Sequence, residues 1–117
     1  MLAVRADPTW LQQVVLNLAL NAVDATVNNF PGRRLVVMET RQVGQSRAEL
    51  SVSDTGAGIP AQQLASIFEP FASKRGGSGL GLSTSRGIVE GFGGKIWAQN
   101  KASGGAVFLF TLPLTGA

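Results

Sequence analysis

The sequence predicts an α+β fold, a two-layer sandwich in which one sheet is covered by helices. Three observations predict it. A strong helix start at Asp7-Pro8 opens a long apolar segment. Strand-like segments follow in two pairs, each joined by a polar or glycine turn. A second helix-like segment, launched from a glycine cluster, lies between the pairs. Strands joined by hairpins and covered by helices form such a sandwich.

Residues 2–6 alternate weakly and read as the end of a strand. Asp7 is a carboxylate N-cap, and Pro8 suits the first helical position because it has no N–H to leave unpaired. The helix is expected to run to about Asn28, ahead of Pro31-Gly32. Leu35 to Arg41 and Glu49 to Asp54 read as strands around a polar turn at Gly44 to Ser46. Gly56 to Pro60 must turn, and Ala61 to Ile67 reads as a short helix. Lys74 to Gly79 is a glycine loop, and Leu80 to Gly91 a second helix. Lys95 to Gln99 and Ala106 to Leu112 are the last strands, with Gly104-Gly105 as their turn. The whole chain, residues 1–117, reads as one domain.

Composition removes several classes of function. With no cysteine and no histidine, these 117 residues hold no disulfide, no thiolate chemistry and no imidazole acid–base or metal site. A reducing, cytoplasmic setting is permitted. The net charge is +3, but the basic residues are scattered, with adjacent pairs at Arg33-Arg34 and Lys74-Arg75 alone. Nucleic-acid surfaces usually carry a denser basic stripe, so no nucleic-acid partner is expected. The most apolar stretch, Val14 to Ala25, is broken by Asn17, Asn21 and Asp24, so it does not read as a membrane span. No signal peptide is visible, and no direct membrane contact is expected.

Three segments carry chemistry. In the first helix, Gln13, Asn17, Asn21 and Asp24 are spaced by four, four and three, which places them on one narrow face. Nearly everything else there is apolar, which predicts a buried helix. A buried amide without a partner costs roughly 1–3 kcal/mol. The stripe is therefore either ligand-lining or a solvated face, although solvated faces usually carry Lys, Glu or Arg. In the second segment, Asp54 stands at a strand end before Gly56 and Gly58. An ionised carboxylate only accepts hydrogen bonds, and glycines let a flat ligand approach the backbone. The alternative is a plain aspartate turn.

The third segment, Gly76-Gly77-Ser78-Gly79-Leu80-Gly81-Leu82, leads into a helix. Consecutive N–H groups can converge there as an anion nest beside a positive helix end, with Lys74, Arg75 and Ser78 as further donors. The segment fits neither the P-loop nor the dinucleotide pattern. The alternative is a flexible linker.

In this order, these segments resemble the catalytic, ATP-binding domain of sensor histidine kinases over essentially the whole chain. QQVVLNLALNAVDA is similar to their N box, DTGAGIP to their G1 box and IFEPF to their F box. GGSGLGLSTSRGIVEGFGGKI is similar to their G2 region, and GGAVFLFTLP to their closing strand. The resemblance implies the Bergerat ATP-binding sandwich shared with gyrase, mismatch-repair ATPases and heat-shock chaperones. Its mixed sheet is covered by helices, here expected to lack part or all of its first strand. The resemblance also implies a fragment of a longer kinase, whose parent is compatible with a membrane anchor.

The resemblance implies ATP and Mg²⁺ as cofactors. Asn21 would coordinate the metal, Asn17 would help hold the metal–phosphate group, and Asp24 belongs to the same nucleotide-facing row. Asp54 would accept from the adenine amine, with Gly56 and Gly58 against the base. Lys74 and the backbone at Gly77, Ser78, Gly79, Leu80 and Gly81 would meet the phosphates. Asn17, Asn21 and Lys74 are the expected catalytic residues. Residues 72–79 would form a short lid, with Phe68 and Phe71 either anchoring its near end or serving equally as plain core packing. The Phe71–Lys74 segment is one residue shorter than the commonest pattern.

Hydrolysing relatives carry glutamate where this chain has Asn17. An amide cannot take a proton from water, so ATP is expected to be held and hydrolysed poorly. The implied acceptor is a histidine on a separate dimerisation domain of the same kinase, with a response regulator downstream. A chain without histidine would not phosphorylate itself on one.

Overall fold

The first helix begins as its sequence dictates. In the computed structural model, which describes residues 2–70 and 81–115, helix α1 spans Pro8–Thr26. The Asp7 carboxylate accepts from the Thr9 and Trp10 N–H groups at 2.8 and 3.4 Å, satisfying donors that have no partner inside the helix. Val14, Leu18, Ala22 and Thr26, each four residues on from the last, form its buried row. The apolar composition predicts burial on all sides, but Leu16, Leu20, Val23 and Val27 are each more than half exposed. A helix lying on one face of a sheet buries one stripe, and among the described residues nothing covers the opposite side.

Strands β1 (Val36–Val43) and β2 (Arg47–Asp54) form a hairpin, Val36 opposite Asp54 and Val43 opposite Arg47. Gly44, at φ 61°, makes its turn. Helix α2 spans Gly81–Gly91, and strands β3 (Lys95–Asn100) and β4 (Ala106–Pro113) form the second hairpin. The sheet order is β1-β2-β4-β3. Residues 2–6 contribute one isolated antiparallel bridge, Val4 to Leu114.

Two expectations are corrected. The sheet is antiparallel throughout and not mixed. Strands β2 and β3 run in the same direction on either side of the α2 crossover, but β4 inserts between them and pairs antiparallel with both. The helix expected over Ala61 to Ile67 is a single 3₁₀ turn, Ala61–Gln63, with no side-chain cap. A short segment without a cap does not sustain a helix on its own propensity, so packing decides its path. That packing is the burial of Ile67 and Phe68.

Both helices lie on the sheet face formed by alternate strand residues. Val14 and Leu18 from α1, Val89 from α2, Val52 from β2 and Phe108 from β4 are essentially inaccessible to solvent. Phe68 meets Phe108 edge-on at 6.1 Å and 76°. That geometry suits the ring quadrupoles and fixes the chain just before the glycine-rich segment. Burial of a ring such as Phe108 stabilises the fold by about 1.5–3 kcal/mol. The resulting frame brings β2 and α2 against one helix, α1, and the β3–β4 turn against the end of β2.

Candidate nucleotide site

Helix α1 presents a second row beside its buried one: Gln13, Asn17, Asn21 and Ala25, again four residues apart. Two glycines pack against it. Gly81, the first residue of α2, faces Asn17, whose Cγ would be 3.7 Å from a Cβ placed on the glycine. Gly56 faces Ala25, and a Cβ there would stand 2.4 Å from the Ala25 carbonyl oxygen, so only glycine fits. Asn21 lies between these two contacts. Its Nδ2 is buried and has no hydrogen-bond partner among the described residues.

Asn17 is fully engaged. Its Nδ2 donates to the Gly81 carbonyl and to Ser85 Oγ, both at 3.1 Å, while its Oδ1 accepts from Gln13 Nε2 at 3.0 Å. The side chain ties α1 to the start of α2. Asp24, at the edge of the row, is exposed.

Asp54 ends β2 with no solvent exposure. Its Oδ1 accepts from the Gly56 N–H at 2.8 Å and the Ala106 N–H at 3.2 Å. Its Oδ2 is buried and has no partner among the described residues. A buried acceptor without a donor costs about 1–3 kcal/mol, more when charged, and such groups in native proteins call for a ligand or water. The site thus holds an unmet acceptor on Asp54 and an unmet amide donor on Asn21. Gly58, at φ 85°, has the left-handed backbone that glycine tolerates.

The corner is braced from outside. Thr55 Oγ1 accepts from the Leu35 N–H at 3.1 Å and donates to the Arg33 carbonyl. Asn29 Nδ2 donates to the Thr55 and Arg33 carbonyls at 2.8 and 3.0 Å. On the other side, a Cβ on Gly105 would lie 2.0 Å from the Asp54 carbonyl oxygen, so the β3–β4 turn is pressed against the aspartate.

The structure therefore brings Asn17, Asn21, Asp54, Gly56 and Gly81 together around α1. Lys74, Gly77, Ser78, Gly79 and Leu80, with Phe71 and Arg75, lie outside the described residues. Three further residues, Ser85, Asn29 and Asn100, support the site and do not stand out in the sequence. Each acts through a partner distant in the chain, and its only local signal is a polar residue at an element end or on the inner side of a helix. A metal fits a site of this kind only as part of a metal–phosphate group. Among the described residues no cluster of three Asp or Glu could form a cage, whereas an amide such as that of Asn21 can supply one oxygen to an ion that keeps its waters and phosphates.

This chain belongs to the histidine kinase-, DNA gyrase B- and HSP90-like ATPase family, whose pattern matches residues 6–116. Within that family its relatives are sensor histidine kinases. It is 44% identical over 115 residues to the sensor histidine kinase ZraS of Klebsiella oxytoca, covering 97% of this chain and 24% of that protein. The chain spans about a quarter of the length of the curated relatives it matches. Among solved structures, the mycobacterial sensor histidine kinase MprB superposes with a TM-score of 0.84 at 32% identity, covering 95% of this chain and 74% of that one. Full-length ShkA in complex with AMPPNP superposes with a TM-score of 0.83 at 32% identity, over all of this chain and 24% of that one. The fold is that of histidine kinase catalytic domains.

Proposed function

We propose that this chain binds Mg-ATP and donates the γ-phosphate to a histidine on a separate dimerisation domain in two-component signalling. The observation that carries this reading is a pair of buried polar atoms without a partner among the described residues, Asp54 Oδ2 and Asn21 Nδ2, in an ATPase-family fold. An adenine amine supplies the donor that Asp54 Oδ2 lacks. Asn21 stands where a metal–phosphate group would meet α1, between the Gly81 and Gly56 contacts. Magnesium, when bound, neutralises phosphate charge. The phosphates would also meet Lys74 and the backbone from Gly77 to Gly81.

The residues of the site position and do not activate water. Asn17 is an amide with both hydrogens committed to α2, so it cannot act as a general base. Such a site keeps the γ-phosphate for transfer, and catalysis is placement and charge neutralisation. The acceptor nitrogen attacks phosphorus, the bond to the β-bridging oxygen breaks, and ADP leaves. The acceptor must come from elsewhere, since these 117 residues contain no histidine. We further read residues 1–117 as one domain of a longer kinase, acting in the cytoplasm ahead of a response regulator. Among the described residues no helix is long and apolar enough to cross a membrane.

The test is transfer in trans. The chain is mixed with labelled Mg-ATP and a histidine-bearing dimerisation domain from its parent kinase. Acid-labile, base-stable label on that domain is expected. Nucleotide binding without any label would favour a purely regulatory module, and no binding at all would end this reading.

A further inference from the structure

Asn100, the last residue of β3, makes a closed pair of hydrogen bonds to one residue 41 positions away in the chain. Its Nδ2 donates to the Ile59 carbonyl at 2.7 Å, and its Oδ1 accepts from the Ile59 N–H at 2.7 Å. A side-chain amide carries a donor and an acceptor side by side, so it can satisfy both backbone groups of a residue at once, as a neighbouring strand would. Ile59 is itself buried, so the pair fastens the chain at a point already anchored in the core.

The residue before the clamp is Gly58, at φ 85°. A Cβ on Gly58 would stand 2.9 Å from Asn100 Oδ1. The amide thus packs closely on a glycine whose positive φ other residues rarely adopt. The hairpin that carries Asn100 also holds the other end of the same segment. Its Ala106 N–H donates to Asp54 Oδ1, and Gly105 presses on the Asp54 carbonyl. The turn itself is closed by bonds from the Lys101 N–H to the Gly105 carbonyl and from the Gly104 N–H to the Lys101 carbonyl, at 2.9 and 3.0 Å. Residues 54–59 are therefore held at both ends by one β3–β4 unit.

We propose that Asn100 is a positioning residue for base recognition. By fixing Ile59 and Gly58 it sets the backbone on which the base rests, and so sets affinity for the adenine part of the nucleotide without touching it. The proposal rests on the assignment of the Asp54–Gly58 corner to the base. Without the clamp, the corner keeps Asp54 but must order its backbone on binding, which weakens affinity. The side chain is exposed at the end of an edge strand, so its removal leaves the core intact.

The test uses the full chain with Asn100→Ala and Asn100→Ser and reads two quantities. The first is amide hydrogen exchange at Gly58 and Ile59 without nucleotide. Exchange at Ile59 is expected to accelerate about tenfold or more in Asn100→Ala, with Asn100→Ser between it and the unaltered chain. The second is affinity for ADP against affinity for inorganic tripolyphosphate, which has no base. ADP affinity is expected to fall about tenfold in Asn100→Ala while tripolyphosphate affinity stays within about twofold. Unchanged exchange at Ile59 overturns the clamp whether or not any nucleotide binds. Faster exchange with unchanged ADP affinity, or equal loss for both ligands, reduces Asn100 to a structural contact and overturns the proposal. An unaltered chain that binds tripolyphosphate but not ADP overturns the assignment of the corner, and this proposal with it.

Discussion

Asn17 and Ser85 join the two helices through a 3.1 Å hydrogen bond across 68 residues of sequence, with Ser85 fully buried. The same Asn17 amide donates to the Gly81 carbonyl at the first residue of α2. Through these bonds the position of the second helix is referred to α1. The two buried polar atoms without a partner among the described residues, on Asn21 and Asp54, lie beyond this tie toward the Gly56 contact.

Ser85→Ala removes one of the two acceptors and leaves the other. Its expected cost is about 0.5–1.5 kcal/mol, the net worth of one neutral hydrogen bond. Asn17→Ala removes three bonds and is expected to cost more than Ser85→Ala. Urea denaturation of the three chains checks the order.

Asn17→Glu exchanges the amide for a group that can take a proton from water but cannot donate to the Gly81 carbonyl. Stability is expected to fall by about 0.5–1.5 kcal/mol as the hydrogen bond from α1 to that carbonyl is lost. ATP hydrolysis is expected to rise by about tenfold or more. Release of inorganic phosphate, measured beside the unaltered chain, decides the second point.

Glycines at the site are predicted to divide by what they face. Gly105→Ala would set a Cβ 2.0 Å from the Asp54 carbonyl at φ 83° and is expected to destabilise by about 2–4 kcal/mol. Gly56→Ala meets the Ala25 carbonyl at 2.4 Å and should behave alike. Gly87 lies inside α2 with nothing within 4 Å, so Gly87→Ala is expected to stabilise by about 0.5–1 kcal/mol. Thermal or urea midpoints of the three variants check this sign reversal.

Much of this frame is legible in the sequence because it is set locally. Asp7-Pro8 marks the start of α1, and helical periodicity alone puts Asn17 and Asn21, four residues apart, on one row. The hairpins follow from alternation and from glycine turns. What the sequence hides is set by distant partners. The apolar surround of α1 predicts full burial, yet burial depends on which elements lie over the helix, and one sheet covers one row. The short helix expected after Pro60 gives way because burial of Ile67 and Phe68, not local propensity, sets the chain there. Asn100 looks like an ordinary residue entering a turn, and only its contact with Ile59 gives it a role. The antiparallel sheet follows from β4 entering between β2 and β3, which no local pattern announces.

Asp54→Asn separates binding from stability. The amide can still accept from the Gly56 and Ala106 N–H groups, while the unmet carboxylate oxygen is replaced by an NH₂. Stability is expected to hold or rise slightly. Loss of a charge-assisted bond to the adenine amine is expected to weaken ATP by about tenfold to a hundredfold.

The most direct test of the shared site is a calorimetric titration of ATP, with and without magnesium, into the unaltered chain, Asp54→Asn and Asn21→Ala. Asp54→Asn is expected to lose affinity in both conditions, and Asn21→Ala to lose only the increment that magnesium adds. An unaltered chain that binds no ATP, or two variants that bind it as the unaltered chain does, would contradict the account.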